Sequence, residues 1–202
     1  MKEYQYDKVL HINTRSKQME VNNSVHYHPY EPTPYAALEE LFNQYEISDQ
    51  DTIVDFGCGK GRLNFFIHYK YHSNCVGIDM NEHFLDEAIK NAKNYFKNVG
   101  KNKGAIHFHR CLAEKYEIQP EENKFYFFNP FSVQVFMKVY DNILLSYEKT
   151  KRDIDLIFYY PSDDYQYYLE TQSSFQFMKE ILLPGLYEKN PYEKFLIYRL
   201  TK

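Results

Sequence analysis

The stretch Asp55-Phe56-Gly57-Cys58-Gly59-Lys60-Gly61-Arg62 decides how the rest of the chain is read. It follows the apolar run TIVDF (52–56) and leads into a segment of helical periodicity to about Tyr71. A buried strand, a glycine turn and a helix are therefore expected in immediate succession. Glycines at 57, 59 and 61 let the backbone turn sharply and leave room for a ligand. The helix behind them aims free N–H groups and the positive end of its dipole at that space, which suits an anion. Asp79, 20 residues beyond Gly59, ends the next strand-like run, CVGID (75–79). A carboxylate there can accept both hydroxyl hydrogens of a ribose, the arrangement of nucleotide-binding α/β folds.

Outward from this stretch the alternation continues. Asn81 can cap a helix running to about Asn98, with Phe84, Leu85, Ala88, Ile89, Ala92 and Phe96 as its apolar positions. AIHFH (105–109) and FYFFN (125–129) read as strands, and Phe136, Val139, Tyr140, Ile143, Leu144 and Tyr147 mark a helix. DLIFYY (155–160) is a fifth strand, ended by Pro161. Two last strand-like runs, 175–183 and 194–200, are joined by a loop holding Pro184-Gly185 and Asn190-Pro191. The pattern predicts an α/β, Rossmann-like fold: a mostly parallel sheet with helices on both faces and an antiparallel C-terminal edge hairpin.

Upstream, Thr33-Pro34 reads as a side-chain cap followed by proline at the first helical position, for a helix whose face is Leu38, Leu41, Phe42 and Tyr45. Residues 1–32 are expected to be an N-terminal lead-in, with a hairpin of 8–13 and 19–22 about the RSKQ segment. Within it His26, Tyr27, His28 and Tyr30 are placed to form an acceptor lid. Residues 33–202 form the expected cofactor-binding domain.

Composition narrows the function classes. The chain has 202 residues, 24 basic and 28 acidic, for a formal charge of −4. That balance argues against holding nucleic acid by overall charge and gives no strong nucleic-acid signal. Cys58, Cys75 and Cys111 are well separated and never form a C-x-x-C pair, against a disulfide framework or structural zinc. The N-terminus lacks an apolar h-region and no apolar run approaches a membrane span, so a cytoplasmic protein without membrane association is expected. His26-x-His28 and His107-x-His109 share strand faces, but neither pair has a visible third ligand, and no metal is expected. Cys58 sits where a helix N-terminus can lower a thiol pKa, although a small residue that fits the turn is the simpler reading. Lys90, Lys93, Lys97, Lys101 and Lys103 read as a solvated helix face, with RNA or acidic-protein contact as the alternative.

Spacing separates two nucleotide readings. The dinucleotide fingerprint is G-x-G-x-x-G, whereas here the pattern is G-x-G-x-G behind an acidic residue. This resembles motif I of the class I S-adenosylmethionine-dependent methyltransferases, D/E-x-G-x-G-x-G. The likeness runs from about His26 to Pro161, carried by YEPTPYAALEELF (30–42), DFGCGKGR (55–62) and FYFFNPF (125–131). It is similar to a bacterial subgroup of unassigned acceptor, with a weaker likeness to Dot-type lysine methyltransferases. Proline, lysine and arginine depart from the Dot-type pattern, so histone specificity does not carry over.

The resemblance implies S-adenosylmethionine as cofactor. It implies that Asp55, Gly57, Cys58, Gly59, Lys60 and Gly61 form the cofactor turn, with Lys60 and Arg62 as cations for the methionine carboxylate. Thr33 reaches the methionine end or serves as an N-cap, and both can hold. Asp79 takes the ribose and Met80 packs on the adenine. Leu112 stands where an acidic residue often meets the adenine amino group, beside Ala113, leaving that contact to backbone or to Glu114. Asn129-Pro130-Phe131 is placed where acceptor and donor meet. In amine-directed relatives an N-P-P-Y/F segment offers the Asn carbonyl and a backbone carbonyl to a planar amine, with the ring stacking nearby. The segment here lacks the second proline. The acceptor is open among small molecules, protein lysine and RNA, with a lean towards an amine nitrogen. The alternative is a non-catalytic cofactor-binding or RNA-associated module.

Overall fold

The computed structural model describes residues 3–15, 28, 30–99 and 104–202. Seven strands form one sheet: β1 (Thr52–Phe56), β2 (Asn74–Asp79), β3 (Ile106–Arg110), β4 (Lys124–Phe128), β5 (Ile154–Tyr159), β6 (Gln176–Leu182) and β7 (Lys194–Leu200). Their order is β3-β2-β1-β4-β5-β7-β6. The first five strands pair in parallel, and β7 runs antiparallel between β5 and β6. The order reverses between β1 and β4, so the carboxyl ends of these strands open a crevice, the usual ligand site of doubly wound sheets.

Side-chain alternation divides the core between the two faces. Val54, Phe56, Phe125 and Phe127 face the cluster that holds α5 (Val133–Lys149) and α6 (Asp163–Gln172). Ile53, Tyr126 and Ile157 face the cluster under α1 (Glu3–Leu10), α2 (Tyr35–Gln44), α3 (Arg62–Tyr71) and α4 (Glu82–Val99). Tyr and Phe do most of the filling: Phe127 stacks on Phe56 and on Phe158, at 5.3 and 5.0 Å between ring centroids.

At the end of the sheet opposite the crevice, one row of charge crosses three strands. Asp155 is fully buried, and it accepts from Lys124 Nζ at 2.7 Å and from Arg199 Nε and Nη2 at 2.6 and 2.8 Å. Tyr45 donates to the same carboxylate. Burial alone would raise its pKa, but Arg199 and Lys124 outweigh that and hold it below the usual range. Removing one partner of so buried a set costs about 3–5 kcal/mol.

Three local expectations are corrected, and one helix is added. Residues 3–10 form a helix rather than a hairpin arm, because Tyr6 and Leu10 lie one turn apart on a buried face; the second arm, 19–22, lies outside the described residues. α6 was not legible as a helix, yet Ser162 Oγ caps it by accepting from Tyr165 N, and Tyr165, Tyr168 and Leu169 are its buried stripe. Asn81 does cap α4, accepting from His83 N and Phe84 N. The buried face of α4 is rotated towards Asn91 and Tyr95, leaving Ile89 43% exposed. Finally, Pro34 rather than Thr33 occupies the N-cap of α2, without a side-chain cap, and Glu3 accepts the free N–H of Tyr35.

Candidate active site

The inner cleft lies at the carboxyl ends of β1, β2 and β4. β1 ends in the turn formed by Gly57, Gly59 and Gly61, all with positive φ. Gly57 N and Cys58 N both donate to Ile78 O, at 2.8 and 3.1 Å, which binds the turn to the end of β2. At Gly59 both conformation and space require glycine: φ is +52°, and an added Cβ would lie 2.1 Å from the Tyr30 ring. Asp79 is held by two backbone donors, Gly59 N to Oδ2 at 2.9 Å and Asn81 N to Oδ1 at 2.8 Å. Its carboxylate borders the cleft, and a carboxylate is the acceptor a ribose diol needs.

Asp55 also borders the cleft, and burial together with the charge of Asp79 pushes its pKa up to about 8. A cationic group entering there would hold the Asp55 carboxyl ionised. Cys58 is buried as well, and its thiol lies well above its ordinary pKa, first through burial and then through Asp79 and Asp55. The turn therefore holds a thiol rather than a thiolate, so the reading of a lowered pKa fails.

The two cations beside the turn part company. Arg62 borders the cleft, whereas Lys60 is not among its walls. Lys60 is buried, with Nζ 5.6 Å from the Tyr30 ring centroid. Its pKa is lowered by burial, against an opposing effect of Glu87. Arg62 ties the N-terminal segment to the turn: Nε donates to Thr14 Oγ1 at 2.8 Å, and Nη1 to Glu3 Oε2 and Thr33 O at 3.0 and 3.1 Å. Thr14 and Tyr35 in turn donate to the buried Asp7. Nothing in the local sequence around Arg62 announces this set, whose members lie up to 59 residues apart.

Of the other sequence-derived residues, Met80 and Ala113 line the cleft and Thr33 borders it, its hydroxyl 2.8 Å from Tyr126 OH. Leu112 is 38% exposed and is not among the cleft walls. Pro130 lines the cleft, and Phe131, 1% exposed, closes its floor with an edge-on contact to Phe127. That burial leaves Phe131 as packing rather than an exposed stacking face.

Asn129 borders an outer groove that shares His28, Tyr30, Glu31, Pro32, Arg62 and Phe128 with the inner cleft. Its φ is +39°, and its buried Oδ1 has no hydrogen-bond partner among the described residues. A buried acceptor without a partner is costly and rare, and it marks a place for a donor. His28, one of the residues expected in an acceptor lid, clamps the end of β4: its Nδ1 donates to Asn129 O at 2.6 Å and its N donates to Pro130 O at 3.1 Å. A carbonyl can only accept, so Nδ1 carries the hydrogen and the lone pair of the neutral ring lies on Nε2. His26 and Tyr27 of the expected lid lie outside the described residues, as do Lys101 and Lys103 of the basic run. His107 and His109 are exposed on β3, at the edge of the sheet. No described helix is long and apolar enough to cross a membrane.

Comparison with known proteins agrees with this geometry. A family model described as "Methyltransferase domain" matches residues 33–127. A protein-lysine N-methyltransferase of Saccharolobus islandicus (strain REY15A) is 30% identical over 64 residues, which are 31% of this chain and 40% of that protein. The chain thus aligns with less than half of this relative. Among solved structures, an RNA methyltransferase from Salinibacter ruber in complex with S-adenosyl-L-homocysteine superposes with a TM-score of 0.56 at 17% identity, covering 85% of this chain and 93% of that one. A SAM-dependent methyltransferase from Thiobacillus denitrificans, also in complex with S-adenosyl-L-homocysteine, gives 0.57 at 12% identity, covering 84% and 92%. Residues 33–127 thus match a methyltransferase domain, and the chain has the Rossmann-like fold of the S-adenosylmethionine-dependent enzymes.

Proposed function

We propose that this methyltransferase domain binds S-adenosylmethionine in the inner cleft and delivers its methyl group to an amine nitrogen positioned at Asn129. The observation that carries the reading is a pairing. A carboxylate fixed by Gly59 N and Asn81 N stands at one end of connected chambers, and a buried, partnerless Asn129 Oδ1 at the other. The residues present fit the cofactor. Asp79 would hold the ribose, Met80 and Ala113 would flank the base, and Asp55 and Arg62 would meet the charged groups of the methionine end. Bound there, S-adenosylmethionine supplies an electrophilic methyl on a positively charged sulfur.

The chain's own contribution is alignment and desolvation. Asn129 Oδ1 accepts a hydrogen of the acceptor nitrogen and so fixes the direction of its lone pair. An acceptor that arrives protonated must first give up a proton, and His28, tethered through Nδ1 to Asn129 O, is the group we assign to take it. Buried Phe131 and Tyr126 keep water from the floor of the cleft. The test is to incubate purified protein with methyl-labelled donor and a cell extract separated into protein, RNA and small molecules. Label in the protein or amine-bearing fraction supports the reading; label confined to RNA, or none in any fraction, defeats it.

A further inference from the structure

We infer that the groove beyond Asn129 is a binding site for an alkylammonium group, so that the acceptor is a lysine side chain or a polyamine. This rests on the proposed methyl transfer and deepens it. The groove is walled by Asn129, Tyr160, Ser162, Asp163, Asp164 and Tyr192. These come from the ends of β4 and β5, the start of α6 and the loop before β7, which no local motif unites. Tyr160 and Tyr192 place their rings 5.5 Å apart at 34°. Both rings are held by hydrogen bonds: Asn190 Nδ2 donates to Tyr160 OH at 2.8 Å, and Tyr192 OH donates to Asp163 Oδ2 at 3.1 Å. Tyr160 holds a φ of +51°, a conformation that bulky residues rarely adopt. Two aromatic residues and two carboxylates form a surface for a cation, and no Lys or Arg stands among the walls formed by the described residues. A phosphate-bearing chain would meet two negative charges there.

The inner end of the groove selects the kind of nitrogen. A planar amine presents two in-plane hydrogens and needs two acceptors. Here the backbone carbonyls of Asn129 and Pro130 each already accept from His28, whereas Asn129 Oδ1 has no partner among the described residues. The carboxylates further out favour a charged ammonium over a neutral nucleobase amine. Towards the inner cleft the walls are mixed, with Glu3, Glu31, Arg15 and Arg62. Arg62 is paired to Glu3 at 3.0 Å, so the Arg15 charge remains to face an incoming cation beside Glu31. The site proposed is therefore the groove walled by Tyr160, Asp163, Asp164 and Tyr192.

The test is calorimetric and needs no turnover. Protein loaded with S-adenosylhomocysteine is titrated, at physiological ionic strength, with spermidine, with a short lysine peptide and with the same peptide Nε-acetylated. We expect at least one of the two cations to bind and the acetylated peptide not to bind; which cation binds tells polyamine from polypeptide. The double variant Asp163→Asn/Asp164→Asn should weaken that binding by about tenfold or more without changing S-adenosylhomocysteine affinity. Tyr192→Leu should weaken it as well. The distant exposed pair Glu117→Gln/Glu121→Gln should leave it unchanged, which separates a site from general attraction to an acidic protein. Three results would overturn the inference: no binding of either cation, equal binding of the acetylated peptide, or preference for an oligoribonucleotide. If S-adenosylhomocysteine itself fails to bind, the donor reading falls, and the same titrations on the free protein still decide the groove.

Discussion

The two halves of the crevice are built differently. On the donor side, at the ends of β1 and β2, the turn is made by neighbouring backbone: Gly57 N and Cys58 N bond Ile78 O, and Gly59 N bonds Asp79. The backbone N–H groups of Gly57, Cys58 and Gly59 there are satisfied before any ligand arrives. On the acceptor side, at the ends of β4 and β5, Asn129 and Tyr160 hold positive φ, Asn129 Oδ1 has no partner, and the contacts span long loops. A satisfied, locally built half suits a ligand that is always the same. An under-satisfied half, assembled from distant segments, is where specificity is stored.

The largest expected break between the halves is kinetic. Asn129→Ala should reduce turnover by about 10²-fold or more while donor affinity stays nearly intact, because its Oδ1 is used to align the acceptor. Steady-state kinetics beside donor calorimetry checks this, and loss of donor binding would move Asn129 to the donor half. Asp79→Ala should do the reverse and weaken donor binding by roughly tenfold or more, since charge-assisted bonds to the ribose are lost together. Unchanged affinity would mean that another group serves the ribose.

A smaller effect should appear with pH. The Asp55 carboxyl in the free protein is raised to about 8, so it is largely neutral at pH 7. Its contribution to the stability of the free protein is present below the ordinary carboxylate range and is lost as pH rises through about 8. A donor whose cationic end faces Asp55 favours the ionised form, so binding should release protons below pH 8. Affinity should strengthen by about fivefold from pH 7 to pH 8 and then level off. Calorimetry in buffers of different ionisation enthalpy reads the proton release, and an affinity that is flat across this range would remove Asp55 from contact with the cofactor.

The same contrast explains what the sequence made legible. Strand, turn, helix and strand from Thr52 to Asp79 follow from local signals, because glycine placement and apolar runs determine them within a few residues. The Asn81 cap and the antiparallel edge of β7 and β6 were readable for the same reason. The N-terminal helix was not, since Val9, Leu10 and Ile12 also fit an extended run. What fixes it is the distant set of Asp7, Thr14, Tyr35 and Arg62. α6 was missed because its buried stripe is mostly tyrosine, in a segment otherwise polar. At the site, Asp79 announced itself by spacing. The clamp of His28 on Asn129 joins residues 101 positions apart, and the groove of Tyr160, Asp163 and Tyr192 exists only after β5, α6 and β7 have packed.

The central claim, that the donor half is a site for S-adenosylmethionine, is tested most directly by thermal denaturation of the purified protein with saturating ligand. A ligand that binds only the folded state raises the midpoint by mass action, here by several degrees. The account predicts that S-adenosylmethionine and S-adenosylhomocysteine both raise it and that NAD does not. A shift with NAD and none with either sulfur nucleoside would contradict it.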